Sequence, residues 1–278
     1  MELTVLVDNN TIIDRYLKGE PGLSFLIEEN NKKILFDTAY SEIFIENAIK
    51  MDYDLLDIDY IVLSHSHLDH TWGLNHLIKY YTEINIEGRE NKKFKLITHP
   101  DTFKTRTLGD YKEVGTMISE KKIKQHCQLK LSKDPVWFMD DIVFLGEIER
   151  NNDFEAQEPI GKVVDGEQKK DDYVIEDSAI VYKKEEGLVV ITGCSHAGIC
   201  NIIEKAKRVC NEERIIDVIG GFHMLNPSEK QLAGTVKYME KLQPEVIHPC
   251  HCTDFATRAE LANVVNVEEV GTGLKLTY

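Results

Sequence analysis

The segment His65-Ser66-His67-Leu68-Asp69-His70 packs three imidazoles and a carboxylate into six residues, directly after the apolar run Ile61-Val62-Leu63. A buried strand through Ile61 to Ser64 has a period of two, so His65 and His67 leave the sheet on the same side and can share one ion. A turn through Leu68 sends Asp69 and His70 in diverging directions, where they can serve a second ion or orient a metal-bound water. The chain has 10 histidines in 278 residues, and three of them fall here, which weighs against a polar loop that merely contains histidine. Imidazole and carboxylate are ligands that zinc and similar ions take. The spacing predicts a binuclear metal site.

Composition bounds the setting of that site. A chain of 278 residues with 42% hydrophobic content can bury a sizeable core, and the expectation is one α/β domain spanning 1–278. The formal net charge of -15 opposes phosphate backbones, so a small-molecule substrate is expected rather than nucleic acid or an anionic membrane. The start, Met1 to Asn10, lacks a signal peptide's basic region and apolar core. No apolar run approaches the ~18 residues of a membrane span. A cytosolic location is therefore expected, with Cys127, Cys194, Cys200, Cys210, Cys250 and Cys252 reduced.

In the first half, residues 3 to 8 read as a strand. Leu23 to Glu28 and Lys33 to Asp37 read as an antiparallel pair around an Asn-rich turn. Asp37 ends an apolar strand, where a carboxylate is costly unless satisfied. It either caps a helix from about Ser41 to Met51 or supports a ligating histidine. A second helix runs from Trp72 to Tyr81 and carries His76 on its surface or packing side. The strand Phe94 to Thr98 delivers His99, which is either a substrate contact beside Lys104 and Arg106 or part of a turn. Residues 149 to 177 are polar, with Pro159, Gly161 and Gly166, and read as an irregular insertion that is a lid or a solvated loop.

The second half shows an α/β rhythm. Ala179 to Lys183 and Leu188 to Thr192 are strands, and the latter leads into Gly193-Cys194-Ser195-His196 ahead of an amphipathic helix with Ile199, Ile202, Ile203, Ala206 and Val209. Ile215 to Ile219 ends at His223, and Glu245 to His248 ends at His251. Asn226-Pro227-Ser228-Glu229 reads as a helix start with Asn226 as its cap. A helix from about Asp254 and a C-terminal strand pair close the chain. Open α/β sheets place ligands at such strand-to-helix junctions. His196 and His251 are therefore expected as metal ligands, and His223 as a substrate or proton-transfer residue. Cys194 is either a small buried hydrophobe or a thiolate ligand. Strand alternation turns Cys250 and Cys252 away from His251, as packing residues.

These residues resemble the metallo-β-lactamase superfamily. HSHLDH at 65 to 70 matches its His-x-His-x-Asp-His signature, and LFDTA at 35 to 39 resembles the lead-in to it. TGCSHAGI at 192 to 199, GGFHM at 220 to 224, HPCHCT at 248 to 253 and FLGEIER at 144 to 150 resemble the branch that includes the dihydropterin-ribofuranosylaminobenzene phosphate synthases. The resemblance implies a four-layer αβ/βα sandwich with a metal site at one edge of its sheets. By position it assigns His65 and His67 to a first metal, Asp69 and His70 to a second, and His251 as the last ligand of that second site. Two departures stand out. Cys194 occupies the place of a metal-bridging aspartate, and the usual histidine before that strand is missing from residues 140 to 150, so His196 supplies the ligand instead.

Three functions are compatible with these residues. The first is a hydrolase in which a water activated by two zinc ions, or by iron or manganese, attacks an ester, lactone or phosphoryl centre, with Asp69 and His223 as catalytic residues. The second, implied by the resemblance, is a transferase joining a dihydropterin to a ribofuranosylaminobenzene phosphate. The third is a non-catalytic metal or redox protein.

Overall fold

The computed structural model describes residues 1–278. The chain folds as two compact units, Met1–Leu131 with Val163–Lys170 and Val270–Tyr278, and Ser132–Lys162 with Asp171–Glu269.

The first unit is a seven-stranded sheet in the order Lys275–Thr277, Glu2–Val7, Ser24–Glu29, Lys32–Phe36, Tyr60–Val62, Lys95–Thr98, Gln128–Leu131. The first four strands pair antiparallel and the remaining neighbours pair parallel. Asn30 and Asn31 turn the hairpin at φ 49 and 59, in the left-handed region that two-residue hairpin turns require and asparagine tolerates. The helices Ile43–Lys50 and Gly73–Ile86 lay Phe44, Ala48, Leu74 and Leu77 against Leu6, Leu26, Leu35 and Ile61. Each of the larger buried side chains contributes about 1.5–3 kcal/mol through removal from water. Leu3, Val5, Phe25 and Ile34 are buried too, which explains why these strands read as continuous apolar runs rather than alternating ones. The second helix begins where a Cβ on Gly73 would stand 1.8 Å from the Thr38 carbonyl oxygen, so only glycine lets it approach.

The second unit is a six-stranded sheet in the order Val246–Cys250, Ile215–Gly221, Leu188–Thr192, Ala179–Lys183, Ile142–Phe144, Val136–Trp137. The first three strands run parallel and the rest antiparallel. The helix Ile199–Cys210 buries Ile199, Ile202, Ile203 and Ala206 in the same cluster as Val181, Val190 and Val218. The helix Glu229–Leu242 starts two residues later than its sequence suggests. Ser228, in extended backbone, caps it by accepting from the Gln231 amide at 3.2 Å, leaving Asn226 and Pro227 outside. Asp254 caps Phe255–Ala262 through the Thr257 amide at 2.7 Å.

In both units the histidine motifs follow the C-terminal ends of parallel strands. Val62 precedes His65 and Thr98 precedes His99; Thr192 precedes Cys194 and His196, Gly221 precedes His223, and Cys250 precedes His251. Successive helix and strand connections deliver polar side chains at those ends, where the backbone is no longer committed to the ladder.

Two regions differ from the sequence reading. Residues 149 to 177 hold the strands Lys162–Asp165 and Gln168–Asp171, which join Arg106–Thr107 in a three-stranded sheet. Their mostly exposed, charged faces carry little of the apolar alternation that marks a strand. The C-terminus supplies one strand, Lys275–Thr277, whose partner is Glu2–Val7 at the other end of the sequence, rather than a local pair. No helix is long and apolar enough to cross a membrane. All six cysteines are free thiols.

Candidate metal centre

In the first unit, Asp37 organises the histidine motif. It stands just past Lys32–Phe36 with left-handed φ 56, fully buried. Its Oδ1 accepts the Ser64 amide at 2.7 Å, and its Oδ2 accepts the Ser64 hydroxyl at 2.6 Å and His70 Nδ1–H at 2.7 Å. Both oxygens are thereby occupied, and three hydrogen bonds compensate a carboxylate that would otherwise be expensive to bury. The helix-cap alternative for Asp37 is set aside, because the helix Ile43–Lys50 has no side-chain cap.

These bonds also fix the histidine tautomers. With its proton spent on Asp37, the Ser64 hydroxyl accepts from His65 Nδ1 at 2.9 Å. His65 and His70 therefore both carry their proton on Nδ1, which leaves each Nε2 with a lone pair, the arrangement that second-partner hydrogen bonds impose on metal-binding imidazoles. The rings of His65 and His67 lie 4.8 Å apart, and those of His65 and His70 4.3 Å apart. Asp69 Oδ2 is 3.7 Å from His70 Nε2, and its side chain keeps 28% exposure while the His70 side chain has none. Asp37, His65 and His70 each bring a ligand-type atom within 4.8 Å of the others. The loop is held from outside: the Thr38 amide donates to the His70 carbonyl at 2.8 Å, and the Thr71 hydroxyl donates to the Ser66 and His67 carbonyls.

His99 is fully buried, and its Nδ1 accepts the Asp101 amide at 3.1 Å, capping the turn Pro100–Phe103. Lys104 pairs with Asp101 and Asp165, and Arg106 donates to the Asp101 and Lys104 carbonyls. His76 is a surface residue 3.3 Å from Glu42.

In the second unit, Cys194 and His196 are buried around Ser195 at φ 58. The Ser195 hydroxyl donates to the Gly221 carbonyl at 2.6 Å, and the Gly221 amide donates to the Gly193 carbonyl at 2.8 Å. Two buried carboxylates brace the turn from His196 into the helix Ile199–Cys210. Asp177 accepts the Ala197 amide at 2.8 Å, and burial, opposed by that bond, pushes its carboxyl up to about 7. Glu155 accepts the amides of Cys200 and Asn201 at 3.0 and 3.2 Å. It thus caps a helix whose own N-cap, Gly198, has no side chain to do so, and places a carboxylate at the favourable helix end.

His223 and His251 both take left-handed φ, 50 and 52. The His223 ring lies 4.3 Å from that of His196, and its amide donates to Cys252 Sγ at 3.2 Å. Burial alone would lower the His223 imidazole, but Cys252 and Asp177 outweigh it and raise it. Burial would likewise raise the Cys252 thiol. Hydrogen bonds with Cys194 and His223, and the charges of His251 and His223, instead hold it well below the ordinary thiol range. The expectation that Cys252 turns away as a packing residue is corrected: the left-handed turn at His251 breaks strand alternation and brings the thiol among the polar groups. No sequence pattern marks that turn, since positive φ is uncommon for any residue other than glycine.

In the first unit the donor set fits a divalent ion: the imidazoles of His65 and His70 locked in the ligating tautomer and the partly exposed Asp69 carboxylate. Strand-end placement of these donors on mixed sheets with flanking helices defines a class of metalloprotein, and the comparison with known proteins gives its family. The chain belongs to the metallo-beta-lactamase superfamily, whose profile matches residues 17–251. It is 36% identical over 251 residues to 7,8-dihydropterin-6-methyl-4-(beta-D-ribofuranosyl)-aminobenzene-5'-phosphate synthase of Methanocaldococcus jannaschii, covering 85% of this chain and 82% of the relative. An uncharacterised protein of the same archaeon is 34% identical over 265 residues, 95% of each chain. The solved structure of a metal-dependent hydrolase of the beta-lactamase superfamily superposes with a TM-score of 0.84 at 27% identity, covering 100% of this chain and 99% of the other. The family resemblance and the fold read from the sequence both hold.

Proposed function

We propose that this chain is a metal-dependent hydrolase of a small ester, lactone or phosphoryl substrate. Zinc ions would be held by His65, His67, Asp69, His70, His196 and His251, with Cys194 as a further donor. The observation that carries the reading is the Nδ1 commitment of His65 and His70, through Ser64 and Asp37, which puts the lone pair of each ring on Nε2, the atom a metal would take. A bound zinc ion would supply Lewis acidity and bring the pKa of a water down to about 7. Asp69, the partly exposed carboxylate of the motif, orients the attacking water and accepts its proton. His223 lines a cleft of the second unit together with His196 and donates a proton to the departing group. The net charge of -15 keeps nucleic acid and anionic membranes away from this reading and favours a small molecule, taken here to be met in the cytosol.

A second reading, a transferase joining a dihydropterin to a ribofuranosylaminobenzene phosphate, is favoured by the 36% identity to the synthase. Purified protein would be incubated with aryl esters, lactones and phosphodiesters, and separately with a pterin pyrophosphate plus an arylamine. Metal-dependent cleavage in the first set supports the hydrolase. Product in the second set alone replaces it with the transferase.

A further inference from the structure

Cys194 follows Leu188–Thr192 and Cys252 follows Val246–Cys250, and in the sheet of the second unit those strands are separated by Ile215–Gly221. Neighbouring strands stand ~4.8 Å apart, so residues on next-but-one strands lie roughly 10 Å apart, beyond the ~7 Å Cα separation within which two cysteines can be bridged. Past the strand ends that gap closes. Ser195, beside Cys194, and His251, beside Cys252, both turn in the left-handed region, at φ 58 and 52.

The two cysteines meet over the end of the intervening strand. A Cβ on Gly221 would stand 2.6 Å from Cys252 Sγ and 3.3 Å from Cys194 Cα, so both residues occupy space that a side chain there would take. Cys252 Sγ donates to the Cys194 carbonyl at 3.5 Å, accepts the His223 amide at 3.2 Å, and is hydrogen-bonded with the Cys194 side chain. Other thiols are engaged elsewhere: Cys127 donates to the Ile123 carbonyl, and Cys200 bonds with Glu155 and Thr235.

We infer that Cys194 and Cys252 form a reversible disulfide when a hydroperoxide reaches them. Cys252, the less buried of the two, reacts first. Its sulfur attacks one peroxide oxygen, the O–O bond breaks, and the thiol proton goes to the departing oxygen, leaving a sulfenic acid. The Cys194 sulfur then attacks the sulfenic sulfur. The S–S bond forms, the S–O bond breaks, and the hydroxyl leaves as water with the Cys194 proton. Two electrons pass from the thiols to the peroxide, and a dithiol reductant returns them. In a reducing compartment such a pair rests as thiols and is bridged only transiently.

The consequence falls on the metal centre, because a disulfide sulfur has no thiolate charge to offer an ion. That consequence rests on the proposed reading of Cys194 as a donor; the bridge itself does not.

The test treats the full chain, as purified and again after chelation, with a small molar excess of hydrogen peroxide and maps its peptides by mass spectrometry without reduction. Expected in either preparation is loss of two of the six thiols, a cross-linked peptide joining residues 194 and 252, and recovery of both thiols with dithiothreitol. Cys127→Ser should still bridge, and in Cys194→Ser dimedone should label Cys252. Survival of both thiols in both preparations, a bridge to a different cysteine, or wild-type oxidation of Cys252 that stops short of a bridge overturns the inference. Zinc titration of the bridged chain separates it from the reading of the metal centre. Affinity about tenfold weaker, restored on reduction, supports both. A bridged chain with unchanged zinc affinity keeps the pair and removes Cys194 from the donor set. Metal-dependent hydrolysis by a chain that never bridges removes the pair alone.

Discussion

Asp37 Oδ2 lies 2.7 Å from His70 Nδ1, joining two buried side chains 33 residues apart in sequence. Since the same carboxylate also takes the Ser64 amide and hydroxyl, one residue sets the geometry of the whole motif. Asp37→Asn keeps the shape but puts an amide N–H where an acceptor is needed. Its expected effect is a 10- to 100-fold loss of zinc affinity with the fold retained, the range typical of lost outer partners. Competition against a chromophoric chelator measures it. Unchanged affinity would show that Asp37 is only structural.

Gly221 is sterically required. A Cβ there would stand 2.6 Å from both Cys252 Sγ and the Gly193 carbonyl oxygen. Gly221→Ala is expected to destabilise the protein by about 1–3 kcal/mol, as overpacking typically does, and to reduce bound metal. Thermal melting and metal analysis would show both; a variant with wild-type melting and metal content would contradict the close packing of these strand ends.

Asp177 makes stability depend on pH in a defined direction. Burial raises its folded carboxyl to about 7, above the unfolded value, so the folded state holds a proton that the unfolded state releases. Its contribution is therefore greatest below the ordinary carboxylate range and falls as pH rises through about 7, by a few kcal/mol in total. In chelated protein, Asp177→Asn should flatten that fall, becoming more stable than wild type at pH 8, with the advantage shrinking by pH 5 and gone only below the ordinary carboxylate range. Parallel pH profiles for the two proteins would refute it.

Asp59 acts in the opposite sense. Burial would raise its carboxyl, but hydrogen bonds from Lys92, Lys32 and the Lys33 amide outweigh burial and lower it. Its stabilisation is present above the ordinary carboxylate range and is lost as pH falls through the lowered value. Lys92→Met should cost less than about 1 kcal/mol near neutral pH, because the lysines are largely solvated. The difference should vanish in strong acid, which urea titrations at two pH values would detect; a cost that persists there would contradict the pairing.

Metal removal tests the centre as a whole. An ion bound to the folded chain stabilises it by about 4 kcal/mol at a thousandfold excess over Kd. Chelation should therefore lower the melting temperature by several degrees, and zinc should restore it. A melting temperature indifferent to both would exclude a site of useful affinity.

Much of this protein is legible in one dimension because local rules act on neighbouring residues. The hairpin at Asn30-Asn31, the strands Ala179–Lys183 and Leu188–Thr192, and the amphipathic helix Ile199–Cys210 arise from turn chemistry and apolar spacing. The dense motif at 65 to 70 likewise announces its donors by residue type alone. Periodicity does not reveal relations across long separations or unusual backbone. The two roles open to Asp37 are separated only by its oxygens facing Ser64 and His70. Alternation points Cys252 the wrong way, because the left-handed His251 interrupts it. The hairpin within 149 to 177 hides behind exposed charges. The sequence by itself determined which chemical groups stand at the strand ends. Only the tertiary structure decided which way each one points, because orientation depends on hydrogen-bond partners drawn from distant segments and on φ values that no propensity favours.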